Sequence, residues 1–218
     1  MIITIDGLSG CGKSSVARLL CKNFDLPWLD SGAIYRILAY LDIKNNNSLM
    51  TNLKLLKEVS IEFKLDGKII LNNKDISCKI RNTDIAECAS KLAKNSIVRQ
   101  ELLCIQQNFI TRVGLIADGR DMGTRVFPKA DVKFFLTAKI ESRAYRRQQE
   151  LQSMGRNVSI DSLIESINIR DCRDLQRKID PVKPANDAYI IDTSNLSLSE
   201  VVKECRLKID YFISNRSF

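Results

Sequence analysis

Apolar residues fall along this chain in two alternating patterns. Short runs rich in β-branched and aromatic residues, Ile2-Ile3-Thr4-Ile5, Leu115-Ile116-Ala117, Val132-Lys133-Phe134-Phe135-Leu136 and Tyr189-Ile190-Ile191, read as buried strands. Pro27-Trp28-Leu29 leads a further short strand into an Asp30-Ser31-Gly32 turn. Between them lie stretches with helical spacing. One runs to about Asn23, and Ala33–Leu41 sets Ile34, Ile37, Leu38 and Leu41 on one face. Long helices start near Ile140 and Ile160, and Ser197 with Glu200 forms a capping box for the last. Strands alternating with helices predict an α/β fold, a three-layer parallel sheet with helices on both faces.

The pattern changes after the polar connection Lys44-Asn45-Asn46-Asn47. Ile61-Glu62-Phe63-Lys64-Leu65 alternates with period two, Asp66-Gly67 is a hairpin turn, and Ile69-Ile70-Leu71 returns. Helices over Asn82–Ala93 and Ile97–Thr111 follow. A small α+β unit inserted at residues 45–111 is expected, with 1–44 and 112–218 forming the core.

The first strand ends at Asp6 and runs into Gly7-Leu8-Ser9-Gly10-Cys11-Gly12-Lys13-Ser14, which fills every fixed place of the phosphate-binding pattern G-x-x-x-x-G-K-[ST]. A strand before and a helix after are the context this motif needs. Its glycines let backbone N–H groups turn toward phosphate oxygens, and the helix N-terminus adds a positive dipole. Lys13 is expected on the outer phosphates of a nucleoside triphosphate and Ser14 on Mg²⁺.

Composition adds bounds. The 218 residues, 44% hydrophobic and 28% charged, suit one core domain with an insertion. No apolar run is long enough to span a bilayer and the start lacks a signal-peptide pattern, so a cytoplasmic protein with no membrane partner is expected. Seven cysteines without a C-x-x-C pair, and no histidine at all, supply no zinc set. A net charge of +8 admits either a nucleic-acid surface or an arginine-lined site for phosphate esters. The arginine positions favour the second, because no basic run is interleaved with aromatics.

Those positions are informative. Ile160, Leu163, Ile164 and Ile167 mark the buried face of one helix, and the same stripe continues as Arg170, Arg173, Asp174 and Arg177. Charge on a buried face is costly unless it is paired, so the helix is expected to leave the core there and line a polar cleft. An Arg170–Asp174 pair at i,i+4 is the plainer alternative. The preceding helix carries Arg143, Arg146, Arg147 and Glu150 on one face, which is either a solvated face or part of a mobile lid over about residues 140–158 that closes on phosphates.

A GTPase should show N-K-x-D and D-x-x-G; Asn73-Lys74-Asp75-Ile76 fails the first and the second is absent. A motor ATPase usually carries Asp-Glu where Asp118-Gly119 stands. The missing histidine points to an acceptor needing no base, and a phosphate monoester, already dianionic at neutral pH, is one. Arginine forks would hold it.

Gly7–Ser15, the runs Asp30-Ser31-Gly32-Ala33-Ile34-Tyr35-Arg36 and Asp118-Gly119-Arg120-Asp121-Met122-Gly123-Thr124, Val126-Phe127-Pro128 and Arg170-Asp171-Cys172-Arg173-Asp174 closely resemble the bacterial cytidylate kinases. The resemblance covers essentially the whole chain. It implies a P-loop fold with an inserted nucleoside-monophosphate-binding domain and a helical lid, and phosphoryl transfer from ATP to CMP or dCMP. Residue by residue, it implies that Gly7, Leu8, Ser9, Gly10, Cys11, Gly12, Lys13, Ser14 and Ser15 bind ATP. Arg36, Arg120 and Arg177 would hold the acceptor phosphate. Ser31, Arg99 and Asp121 would read cytosine, with Asp118 also on the CMP side, and Ser90, Arg170 and Asp174 would contact the sugar or its surroundings. Arg147 and Arg173, with Arg143 and Arg146, would serve the lid and the transferring group beside Lys13, Arg120 and Arg177. Leu8 stands where the family usually has Pro, and Ser14-Ser15 where it usually has Gly-Thr or Gly-Ser, so Mg²⁺ would be held by Ser14 or by Ser15. Cytosine itself offers an N4 donor to suit Asp121 and N3 and O2 acceptors to suit Arg99, although a loop-capping Asp121 and a surface Arg99 are the plainer readings of those two residues. A monomer acting on ATP and CMP or dCMP, without nucleic acid, is expected.

Overall fold

The computed structural model describes residues 1–45, 48–153 and 155–216. Asn46 and Asn47 of the expected polar boundary, and Met154 of the expected lid, lie outside the described residues.

The centre is a five-stranded, wholly parallel sheet. Strand β1 (Ile2–Gly7) lies between β6 (Leu115–Asp118) and β7 (Val132–Thr137), with β2 (Trp28–Asp30) and β8 (Tyr189–Asp192) at the edges, giving the order β2-β6-β1-β7-β8. Its inner strands are near-continuous apolar runs because both faces are covered. On one face α1 (Lys13–Phe24) and α9 (Leu198–Arg216) pack through Val16, Leu20, Val201, Cys205 and Ile209. On the other α2 (Ser31–Asn45) buries Ala33, Ile34, Ile37 and Leu38. The α9 capping box forms as expected, Ser197 N donating to Glu200 Oε2 at 2.8 Å and Glu200 N to Ser197 Oγ at 3.3 Å.

Between α2 and β6 the chain builds a second layer. Helix α3 (Leu49–Glu58) was not anticipated, although Ser48 caps it and Leu53 and Leu56 supply its buried stripe. A three-stranded antiparallel sheet follows, β3 (Ile61–Phe63), β4 (Ile69–Leu71) and β5 (Lys74–Asp75), then α4 (Ser77–Ile80), α5 (Thr83–Leu92) and α6 (Ser96–Gln107). The last helix stops short of the expected Thr111, with Asn108 as its C-cap. Leu53, Leu56, Ile69, Ile80, Ile85, Val98 and Leu102 join the α2 residues in one apolar cluster, so this segment shares its core with the helix that precedes it.

Two long helices complete the molecule. Helices α7 (Ile140–Ser153) and α8 (Ile160–Gln176) pack as a pair around Ala144, Leu151, Leu163 and Ile167. The expected turn at Asp30–Gly32 is absent: the helix begins at Ser31, since Asp30 Oδ1 accepts the Ala33 N–H at 2.9 Å and caps it from the end of the strand.

Because the cluster is shared, Leu53→Ala should weaken the whole molecule, by about 2–5 kcal/mol in a urea titration. It should move the transitions read at far-UV ellipticity and at Trp28 fluorescence together.

Candidate active site

Every loop at the carboxyl edge of the central sheet contributes to one region. Gly7 ends β1 with φ of 144°, and a Cβ there would run into the Leu136 carbonyl oxygen of the neighbouring strand, so the turn requires glycine. The loop then wraps onto α1, whose first N–H groups have no partner within the helix. Lys13 is buried and folds back to donate to the Leu8 carbonyl at 2.6 Å. Burial, reinforced by Arg120, pushes its ammonium down to about 7, a state that an anion in the loop would reverse.

Below the loop, Ser14 Oγ donates to Asp118 Oδ2 and Trp28 Nε1 donates to Asp118 Oδ1, both at 2.7 Å. Burial, then Asp30 next to it, pushes the Asp118 carboxyl up to about 7. Burial also raises Asp6 to about 6, although its two oxygens accept the Met122 and Gly123 N–H groups at 2.8 and 2.7 Å. Among the described residues Ser15 makes no comparable contact with a carboxylate. A hydroxyl beside a carboxylate is a donor pair suited to Mg²⁺, which takes few protein oxygens and completes its shell with phosphates and water. Among the described residues no group of three or more His, Cys, Asp or Glu could hold a metal ion.

Next to the loop lies a cleft lined by Ser31, Arg36, Ser90, Arg120, Asp121, Arg170, Asp174 and Arg177. Arg120 Nε donates to Asp174 Oδ2 at 2.9 Å. Burial pulls Arg170 down to about 9, and Arg120 and Arg36 add to the effect. Burial likewise lowers Arg36, with Asp30 opposing and Arg120 assisting. Asp174 stays below the usual carboxylate range, because Arg120 and Arg170 outweigh its burial. Arg170 Nε and Ser90 Oγ are buried without a hydrogen-bond partner. Two guanidiniums, Arg36 and Arg170, held down by burial and by Arg120, and polar atoms left unmatched describe a site short of negative charge.

A second cavity adjoins the first through Tyr35 and Asp121, and is lined also by Arg99, Gln106, Arg125 and Asp180. Arg99 pairs with Asp121, and Arg177 Nη2 lies 3.4 Å from the other Asp121 oxygen. Gln106 Nε2 donates to Ser31 Oγ at 2.8 Å.

The structure thus gathers Ser31, Arg36, Ser90, Arg99, Arg120, Asp121, Arg170, Asp174 and Arg177 around two joined cavities. Five expected residues are placed elsewhere. Asp118 points beneath the phosphate loop rather than into the acceptor cleft, because consecutive residues at the end of β6 face opposite ways. Arg147 pairs with Glu150 at 2.6 Å on a solvent-facing part of α7. Arg173 leans toward Glu87 of α5 at 3.7 Å. Arg143 is buried, paired with Asp171, and donates to the Ser9 carbonyl at 3.0 Å, so it braces the phosphate loop from behind. Arg146 donates to the Thr193 hydroxyl at 3.0 Å. Trp28, Gln106 and Asp180 were missed: a tryptophan on a short strand, a glutamine on a helix and an aspartate before a proline carry no spacing signal.

A triphosphate-type loop sharing its sheet edge with a second anion-seeking cleft is the layout of a P-loop kinase, in which donor and acceptor phosphates meet face to face. Comparison with known proteins narrows the class. A family model described as cytidylate kinase matches residues 3–210. Cytidylate kinases from Shewanella amazonensis, Pasteurella multocida and Pseudomonas syringae are 41%, 44% and 45% identical to this chain, covering 100%, 94% and 93% of it and 97%, 92% and 92% of the relatives. The chain belongs to the cytidylate kinase family. Among solved structures, an uncharacterized protein from Eubacterium ventriosum aligns over 98% of each chain with a TM-score of 0.50 at 15% identity, a likeness of fold alone. Among the described residues no helix is long and apolar enough to cross a membrane.

The depressed Lys13 makes a proton-linked prediction. Bound phosphate restores the ammonium, so at about pH 8, where ATP is fully ionised and Asp118 has lost its proton, binding should take up a proton. Calorimetry in buffers of different ionisation enthalpy should show that uptake, and Lys13→Met should abolish it.

Proposed function

We propose that this protein transfers the γ-phosphoryl group of ATP to CMP or dCMP, releasing ADP and CDP or dCDP. The observation that carries the reading is the convergence of Arg36, Arg120 and Arg170 on a cleft beside the phosphate loop, with the Arg170 Nε and Ser90 Oγ unmatched. Membership of the cytidylate kinase family supports the choice of nucleotide.

In this reading Gly7–Ser15 enclose the ATP phosphates, and Lys13 leaves the Leu8 carbonyl for the β and γ oxygens. Ser14 and Asp118 would hold Mg²⁺, which when bound would supply neutralisation of phosphate charge. Arg36, Arg120 and Arg177 hold the acceptor phosphate, and Arg170 with Ser90 and Asp174 borders the sugar. An oxygen of that dianion attacks the γ phosphorus while the bond to the bridging β–γ oxygen breaks, leaving ADP; no proton has to be removed first. The work is positioning and charge stabilisation, which fixed guanidiniums supply.

Asp121 accepts from the cytosine N4 amino group and Arg99 donates to its acceptor edge, with Ser31 nearby. Uracil would set a carbonyl oxygen against Asp121 and leave a buried carboxylate unmatched. Residues 45–111 form the acceptor-binding unit on a core of 1–44 and 112–218. The segment at 140–158 closes as a lid, bringing Arg147, and with it Arg173 from α8, toward the transferring group. The basic excess serves phosphate esters rather than nucleic acid or a membrane, and the protein works as a cytoplasmic monomer.

A coupled ADP-release assay with CMP, dCMP, UMP, AMP and GMP should show turnover confined mainly to the cytosine nucleotides; no acceptor-dependent release from folded protein would end this reading. Arg120→Ala should lower that turnover about a hundredfold or more with its circular dichroism unchanged. Asp121→Asn, which can donate as well as accept, should narrow the preference for CMP over UMP.

A further inference from the structure

The base-side cavity holds a charge that the nucleotide reading leaves unused. Asp180 follows α8 in the segment leading to β8 and adopts a left-handed backbone, φ 46°. One of its oxygens, Oδ2, accepts from Arg99 Nε at 3.0 Å and from Arg99 Nη2 at 2.9 Å. Its backbone carbonyl accepts from Arg177 Nε at 2.5 Å. Arg125 Nε lies 3.8 Å from the same Oδ2. Asp180 therefore touches the arginine assigned to the base and the arginine assigned to the acceptor phosphate.

The donor count around Arg99 gives this contact its meaning. Nε and Nη2 serve Asp180, Nη2 also serves Asp121, and Nη1 reaches the Tyr35 hydroxyl at 3.4 Å and the Ala93 carbonyl at 3.5 Å. A guanidinium has five N–H donors and no acceptor, so Arg99 has nothing to spare for a ligand until one partner releases it. Asp121 is also occupied on both oxygens, by Arg99 and by the approach of Arg177. A base that takes Asp121 strips Arg99 of one counter-ion. Arg99 is buried, and an unpaired buried charge is costly. Asp180 is the carboxylate that remains.

We propose that Asp180 is a positioning residue for the acceptor base: by holding Arg99 as its standing counter-ion, it frees Asp121 to accept from the base and keeps the Arg99 fork aimed at the base edge. This rests on the assignment of Arg99 and Asp121 to cytosine. Without Asp180, Asp121 is left, among the described residues, as the one carboxylate within ion-pair distance of both buried guanidiniums, Arg99 and Arg177, and the nucleotide must compete for it. In this role Asp180 acts through Arg99 rather than on the reacting atoms.

The test is steady-state kinetics of the full chain with Asp180→Ala and Asp180→Asn, beside the wild-type acceptor panel and a thermal melt. In the alanine variant the KM for CMP should rise about tenfold. The KM for dCMP should rise by the same factor, since the sugar is not involved. The kcat and the KM for ATP should stay within about twofold, as for a loss of binding felt equally in ground and transition states. Asparagine keeps an acceptor for Arg99 but not the charge, so its KM should fall between the two and supply the readout if the alanine variant folds poorly. Wild-type preference for CMP together with an unchanged KM in both variants, whatever the melting temperature does, would overturn the proposal and leave the base assignment standing. A wild-type enzyme indifferent to the acceptor's base would overturn both.

Discussion

Arg36, Arg120 and Arg170 repel one another across a cleft where burial has already made their charges expensive. The surrounding architecture answers that repulsion. Asp174 is held one turn along α8 from Arg170, so that both face the same space, and Asp121 is delivered from the far side by the end of β6. These carboxylates offset the guanidiniums only in part, and the remainder is what a dianionic phosphate ester would neutralise. The apolar stripe of α8 turns to charge at Arg170 for the same reason: beyond Ile167 the helix stops facing a hydrophobic partner and begins to face this cleft.

The sheet divides the labour. Strand β6 ends in Asp118, which turns under the phosphate loop toward Ser14, and the next residues, Gly119, Arg120 and Asp121, turn toward the acceptor cavities. Strand β2 does likewise, with Trp28 and Asp30 beneath and Ser31 above. Adjacent residues at the ends of two paired strands thus serve opposite halves of one reaction, and their separation is set by the parallel register of Asp30 with Asp118. The loop is braced from outside the sheet by the buried Arg143–Asp171 pair, which grips Ser9 from α7 and α8.

Features with a local physical signature could be read from the chain. The glycine loop, the period-two hairpin, the capping box before α9 and the apolar runs of the sheet all depend on residues close in sequence. Helix α3 escaped because its stripe is short, Leu53 and Leu56 beside the buried polar Asn52, and because polar residues precede it. The arginines of α7 show the limit most clearly. Helical spacing put Arg143, Arg146 and Arg147 on one side, but spacing cannot say which will be buried by Asp171, which will meet Thr193 and which will stay in water. The same holds for Asp180 and Gln106, whose roles exist only because Arg99 and Ser31, distant in sequence, are folded against them.

Trp28 is the single tryptophan of the chain, and its surroundings make it a built-in optical reporter. Its indole N–H is bound to Asp118, the Arg18 guanidinium lies 5.7 Å above its ring, and Phe63 of the β3 strand meets its edge at 5.9 Å. Indole emission is sensitive to charge and polarity in its immediate shell, so one chromophore senses both the carboxylate under the phosphate loop and the seat of the β3–β4 hairpin. Events at the donor end and movements of the acceptor-side layer can therefore be followed in the unlabelled protein through the colour and intensity of a single side chain.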